Sequence, residues 1–218
     1  MSNITTNNHA LLGCSGFVGN TLSNQHNFEY YYRSNNIDSI TGKEFELVVC
    51  AAAPGKKWKA NLYPLEDLEN IKSLIKRLDK ISTTTFILIS TIDVFSKPNN
   101  SNENTEIDMT NLQPYGYNRR QLELYVQDNF EKHLIIRLPA LVGKGLRKNV
   151  LFDLLNNNQI EKIDSRNIFQ FYPMINLWKD INLALEENIN LVHFSTEPIS
   201  VNEICSICLG NDFKNYVS

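Results

Sequence analysis

The chain is 218 residues long, 42% hydrophobic and 21% charged, with a formal net charge of −3. That length suits one domain, or one domain with a small appendage, and the composition is that of an ordinary globular protein. The mildly acidic balance argues against a nucleic-acid binder, and no apolar run approaches the ~18 residues of a membrane span.

Residues 1–9 read as a short disordered lead-in, with His9 solvated at its end. They lack the basic-then-apolar pattern of a signal peptide, so a cytoplasmic location is expected. Ala10-Leu11-Leu12 is a short apolar strand that runs into Gly13-Cys14-Ser15-Gly16-Phe17-Val18-Gly19. Gly13 permits a tight turn at positive φ, Gly16 leaves room for a diphosphate against the backbone, and Gly19 lets the next helix pack close to the sheet. A helix over roughly 17–24 then points its free N–H groups at the phosphates, which brings Ser15, Phe17 and Val18 into the candidate set. The same glycine spacing also occurs in plain turns.

Phe28-Glu29-Tyr30-Tyr31-Tyr32 reads as a second strand. Arg33 and Ser34 follow it, where nicotinamide-binding folds meet the adenosine ribose. A carboxylate there takes the 2′-hydroxyl, whereas an arginine accommodates a 2′-phosphate, so Arg33-Ser34 indicates NADP(H) over NAD(H). The gap from Gly19 to Arg33 is shorter than the usual ~20 residues, and a solvated turn is the alternative. Phe45 to Ala53 is a third strand ending in Ala51-Ala52-Ala53, small residues that let a flat ligand lie against the backbone. Residues 54–61 read as a solvated basic loop with one Trp; contact with an anionic substrate is the alternative.

A helix over 65–80 carries Leu65, Leu68, Ile71, Leu74, Ile75 and Leu78 at helical spacing. A fourth strand, 85–90, ends in Ser90-Thr91-Ile92-Asp93, and open α/β sheets bind ligands at that end. Residues 96–113 form a long polar loop, a candidate lid. Pro114-Tyr115-Gly116-Tyr117-Asn118-Arg119 opens a helix to about 130, placing Tyr115 and Arg119 on one face. A fixed cation there is expected to bring the phenol's pKa down from about 10. The fifth strand, 135–142, is broken by Pro139. Weaker elements follow: a helix over 150–156, an extended stretch over 169–174, a helix over 177–187, a strand over 191–194, and a helix over 203–209 with Ser200 and Glu203 as a capping box.

Strands alternating with helices imply a parallel sheet covered on both faces. Cys205-Ser206-Ile207-Cys208 lacks the second pair a zinc site needs, so no metal is expected. His26 and His133 read as surface positions and His193 as a satisfied core histidine.

Together, Gly13/Gly16/Gly19, Ser90-Thr91-x-Asp93-Val94-Phe95, Tyr115-Gly116-x-Asn118-Arg119 with Glu123, and Arg137-Leu138-Pro139 resemble the extended short-chain dehydrogenase/reductase family, nucleotide-sugar epimerase/reductase type. The chain would be a short, atypical member. The resemblance covers roughly 9–145 well and 165–210 loosely. It implies an α/β, Rossmann-like, doubly wound parallel sheet: one NAD(P)-binding domain over 1–218, with a small, reduced C-terminal substrate region mainly within 144–218.

It also implies hydride transfer at a carbonyl or hydroxyl of a sugar or nucleotide-sugar. Tyr115 would be acid/base, Thr91 would bond the same oxygen, and Arg119 would stand where the family has a lysine. Pro139 joins the cofactor set. Helices 65–80 and 114–130 match the pair through which family members dimerise. The alternative is a non-catalytic module that binds a dinucleotide or docks onto a partner, its chemistry lost with that lysine.

Overall fold

The computed structural model describes residues 7–217. The expected lead-in lies outside them except for Asn7–His9, and His9 opens the first strand. In chain order the chain forms β1 (His9–Leu12), α1 (Phe17–Gln25), β2 (Tyr30–Tyr32), β3 (Glu44–Cys50), α2 (Lys57–Leu62) and α3 (Pro64–Leu78). Next come β4 (Ser82–Thr91), α4 (Pro114–Asn129), β5 (His133–Leu138), β6 (Ala140–Val142), α5 (Val150–Leu155), β7 (Ile168–Phe169) and β8 (Phe171–Pro173). The chain closes with α6 (Leu177–Glu186), β9 (Leu191–His193), β10 (Ile199–Ser200) and α7 (Val201–Leu209). No helix among the described residues is long and apolar enough to cross a membrane.

The chain packs as two compact units. The first runs to Arg137 and takes back Asn176–His193. It is built on a parallel six-stranded sheet in the order β2-β1-β3-β4-β5-β9. Alternate strand residues face opposite ways. Ala10, Leu12, Val48, Cys50, Phe86, Leu88 and Ile135 form one face, packed against Ile71, Leu74 and Leu78 of α3 and Leu122 and Val126 of α4. Leu11, Val49 and Ile87 face the other side, and all three are fully buried. α1 and α6 pack together, tied by the Trp178 N–H bonding Gln25 Oε1 at 2.9 Å. This is the doubly wound, Rossmann-like architecture expected from the alternating elements.

From β1 the chain steps to β2 on one side and then crosses to β3 on the other, so the order reverses at β1/β3. Leu12 pairs with both Tyr32 and Cys50. Gly13, Arg33 and Ala51 therefore leave their strands side by side at the carboxyl edge, where such sheets bind ligands.

Residues 54–61, expected as a loop, contain α2. Lys, Ala and Leu favour a helix, but six residues cannot hold one alone, so tertiary contacts do: Ala60 is buried and Lys59 pairs with Glu66 at 2.6 Å. The histidines also differ from expectation. His9 Nδ1 lies 2.9 Å from His26 Nε2, and the His26 ring stacks on Trp178 with centroids 3.9 Å apart.

The second unit takes Leu138–Ile175 and Phe194 onward. β6 pairs with β8 in parallel and β7 with β10 antiparallel. Its core is Leu151, Phe171 and Ile204 with Leu154, Val201 and Cys205. The expected capping box opens α7: Ser200 Oγ accepts from the Glu203 N–H, and the Glu203 carboxylate accepts from the Ser200 N–H. Pro139 lies in this unit, between β5 and β6.

Candidate active site at the carboxyl edge of the sheet

The glycine turn is shaped by close backbone approach. Gly13 sits at φ +82°, and a Cβ there would strike the Ala51 carbonyl and lie 2.7 Å from Ala52 Cα. A Cβ on Gly19 would strike the Gly13 carbonyl, so α1 packs directly onto the turn. Gly16 is different: beyond its chain neighbours, a Cβ there would meet, among the described residues, the Gly13 oxygen alone, at an ordinary contact distance of 3.4 Å. The first helical bond of α1 runs from the Asn20 N–H to the Gly16 carbonyl at 2.8 Å. The amides of Phe17, Val18 and Gly19 precede it and have no intrahelical acceptor. An open glycine before three donors without an intrahelical acceptor fits a diphosphate at a helix N-terminus.

Arg33 is exposed and leans toward this turn, with Nε 3.4 Å from Cys14 Sγ. No carboxylate lies in 33–36. The nearest in sequence, Asp38, pairs with Arg77 at 2.7 Å. Ser34 is exposed beside Arg33, and Ala51, Ala52 and Ala53 are half-buried after β3.

At the end of β4 the Thr91 hydroxyl accepts the Asp93 N–H at 3.2 Å and donates to Asp93 Oδ2 at 3.3 Å. These bonds shape a tight 3-10 turn over Ile92–Val94. α4 sits on this turn because Gly116 has no side chain: a Cβ would strike the Asp93 carbonyl. The start of α4 is held by its Tyr115 N–H, which donates to Asn61 Oδ1 at 3.0 Å. Tyr115 is thereby brought close to Thr91, near enough for the threonine hydroxyl to act on the phenol and favour its ionised form.

Arg119 lies beneath Tyr115, its guanidinium carbon 4.1 Å from the ring centroid. It is tied down on every side. Nη1 and Nη2 clasp the Asp67 carboxylate, Nη2 at 2.9 Å from Oδ1, and Nη2 also donates to the Pro54 carbonyl. Asn118 donates to Asp67 Oδ2 at 2.8 Å. Arg119 and Asp67 are only 3% and 5% exposed, and the Arg119 Nε is buried without a hydrogen-bond partner among the described residues.

The expected lowering of the Tyr115 pKa is reversed. Burial dominates and pushes the phenol above its ordinary value. Arg119 and the Thr91 hydroxyl pull it down, but Asp93 and Asp67 push it up. The four-residue spacing supplies the cation but neither the burial of the phenol nor the carboxylates of Asp67 and Asp93.

A second buried network stiffens the floor. Glu123, fully buried on α4, accepts from Ser90 Oγ at 2.6 Å, Arg120 at 2.9 Å, and Arg137 at 3.0 and 2.8 Å. Arg137 Nη1 reaches His193 Nε2 at 3.3 Å, and the His193 N–H donates to Glu103 Oε1 at 2.7 Å. Glu103 thus pins the long loop to β9.

Lys57, Asn61 and Asp67 were not identified from sequence. Asp67 carried a usable signal, because it shares the apolar face of α3 with Ile71, Leu74 and Leu78. An acid on a core-facing stripe demands a buried partner. Lys57 carried only the general basic character of residues 54–61, which does not single it out from Lys56 or Lys59.

No family model matches the chain, and no curated protein matches it in sequence. Solved structures do match in shape. A dTDP-4-dehydrorhamnose reductase from Bacillus anthracis str. Ames in complex with NADP aligns with a TM-score of 0.74 at 17% identity, over 96% of this chain and 83% of that one. A UDP-N-acetylglucosamine 4-epimerase from Methanobrevibacter ruminantium M1, in complex with UDP-N-acetylmuramic acid, gives 0.74 at 17%, over 97% and 85%. An NAD-dependent NDP-hexosamine 5,6-dehydratase involved in tunicamycin biosynthesis gives 0.73 at 15%, over 95% and 83%. The chain therefore shares its fold with these reductase, epimerase and dehydratase structures.

Proposed function

We propose that the chain is a nicotinamide-dinucleotide-dependent oxidoreductase or epimerase acting on a carbonyl or hydroxyl of a sugar or nucleotide-sugar. One observation carries the reading: the Thr91–Tyr115 hydroxyl pair stands beside the segment that shapes the glycine turn. Ala51 abuts Gly13 while Pro54, three residues on, bonds Arg119, so one strand exit joins the two. The neighbours named above, an NADP complex and an NAD-dependent enzyme among them, support the same class.

The bound dinucleotide would accept or donate the hydride. Phe17, Val18 and Gly19 amides would hold its diphosphate. Arg33 and Ser34 would meet the adenosine ribose, and the arginine favours NADP(H). Thr91 would orient the substrate oxygen while Tyr115 exchanges a proton with it through the phenol oxygen. Arg119, fixed by Asp67, would hold the Tyr115 ring and offset part of the charge of the phenolate. A general acid of this kind contributes about 10²–10⁴-fold. Tyr115→Phe should therefore lower turnover of a dTDP-4-keto-sugar by at least about 10²-fold, with the dissociation constant of NADPH within twofold of wild type. Unchanged turnover would remove Tyr115 from the reaction.

Two copies would pair through α3 and α4, a reading supported by exposed Leu62, Tyr63 and Leu65 on that flank. Sedimentation at twice the chain mass, lost in Leu65→Lys, is the expected result.

The engagement of both Arg119 Nη groups by Asp67 and Pro54 favours one second reading, a dinucleotide-binding module without turnover. Tight NADPH binding with no turnover across a panel of keto-sugars would select it.

A further inference from the structure

Four charged side chains surround the Thr91–Tyr115 pair: Asp67, Asp93, Lys57 and Arg119. They sort into two pairs of opposite character. Arg119 and Asp67 are buried and multiply bonded, and Arg119 cannot turn to a ligand without leaving Asp67 buried and alone. Lys57 is about half exposed, with its side chain at 53%, and it makes one ion pair, to Asp93 Oδ1 at 2.6 Å. Such a pair contributes little to stability, so its cation is free to change partners.

The placement of Lys57 gives the exchange a direction. It leaves the same strand exit as Ala51, crosses from β3 to the end of β4, and sets its ammonium beside the turn that Thr91 shapes. We propose that Lys57 is the exchangeable cation of the site, leaving Asp93 to hold a ribose or phosphate oxygen in the nicotinamide half of the bound dinucleotide. This rests on the dinucleotide reading above. An ammonium on a flexible four-carbon stem suits that exchange, whereas the clamped planar guanidinium of Arg119 does not.

In the exchange no covalent bond forms or breaks. When the ammonium leaves, the Asp93 carboxylate keeps the Thr91 hydroxyl, and the Asp93 N–H keeps its bond to Thr91 Oγ1. The pair thus keeps the turn in shape in the free protein and releases one charge to the ligand in the complex.

The test is a fluorescence titration of the full chain with NADPH, alongside competition by 2′,5′-ADP, which lacks the nicotinamide half. Wild type, Lys57→Gln, Lys57→Arg and Lys56→Gln are compared. Lys57→Gln should weaken NADPH at least about tenfold, a loss typical of one charge-assisted bond. Its 2′,5′-ADP affinity should stay within twofold, Lys57→Arg should recover most of the NADPH affinity, and Lys56→Gln should match wild type. Unchanged NADPH binding in Lys57→Gln overturns the proposal. So does an equal loss for both ligands, which marks a general effect of charge. If wild type binds 2′,5′-ADP but no NADPH, the nicotinamide half has no place and the proposal falls. If wild type binds neither dinucleotide nor 2′,5′-ADP, the underlying reading fails with it.

Discussion

Arg119 shows how one residue can carry a sequence pattern and still behave differently in the fold. By spacing it shares a face with Tyr115, and the structure stacks the two at 4.1 Å. What spacing does not contain is Asp67, fifty-two residues earlier, which takes up most of the guanidinium. Removing one member of a buried ion pair costs about 3–5 kcal/mol because the other charge stays buried. Asp67→Ala should therefore lower the unfolding free energy by that amount, read by urea denaturation. Asp67→Asn should lose less, since an amide still accepts a bond. Equal stability of Asp67→Ala and wild type would mean that the pair is not closed in solution. The residues legible in sequence were those whose role is local. Gly13 and Gly19 shape a turn with near neighbours, and Thr91 bonds a residue two positions on. Asn61, Asp67 and Lys57 act across long sequence separations, and only a fold brings such partners together.

At the scale of elements, α4 is the part that builds the site. Its start followed from Pro114, and the four-residue spacing put Tyr115 and Arg119 on one face. Its seat did not, since it depends on Gly116 meeting the Asp93 carbonyl. Overpacking of this kind costs about 1–3 kcal/mol. Gly116→Ala should lose that much stability and also misplace Tyr115 from Thr91, so turnover should fall further than thermal stability explains. A variant that is less stable but fully active would separate the helix seat from the chemistry. α2 was hidden for the opposite reason. Its sequence, Lys57-Trp58-Lys59-Ala60-Asn61-Leu62, has one buried residue, and packing rather than periodicity makes it a helix.

At the scale of the molecule, the two ends of the sheet do different work. The carboxyl edge gathers the glycine turn, Arg33, Ala51 and Thr91. The opposite edge holds His9 against His26, with Glu46 3.8 Å from His9 Nε2. Thr85 and Lys132 line the same cleft with Trp178. Burial lowers the pKa of both histidines, and that of His26 comes down to about 4, helped by the charge His9 would carry. The unfolded chain then takes up these protons near pH 6.5 while the folded chain resists. Stability from the histidines is complete above pH 6.5 and is lost as pH falls from there to about 4. His26→Phe keeps an aromatic ring beside Trp178 and should flatten the fall of melting temperature over that window. An unaltered slope would place the acid sensitivity elsewhere.

The central claim is that the β1/β3 edge binds a nicotinamide dinucleotide, and titrating NADPH and NADH in parallel against the wild-type chain tests it most directly. One dinucleotide should bind saturably per chain, NADPH more tightly than NADH because Arg33 leans toward the turn. Binding of neither would contradict it and leave the glycine turn a purely structural corner of the fold.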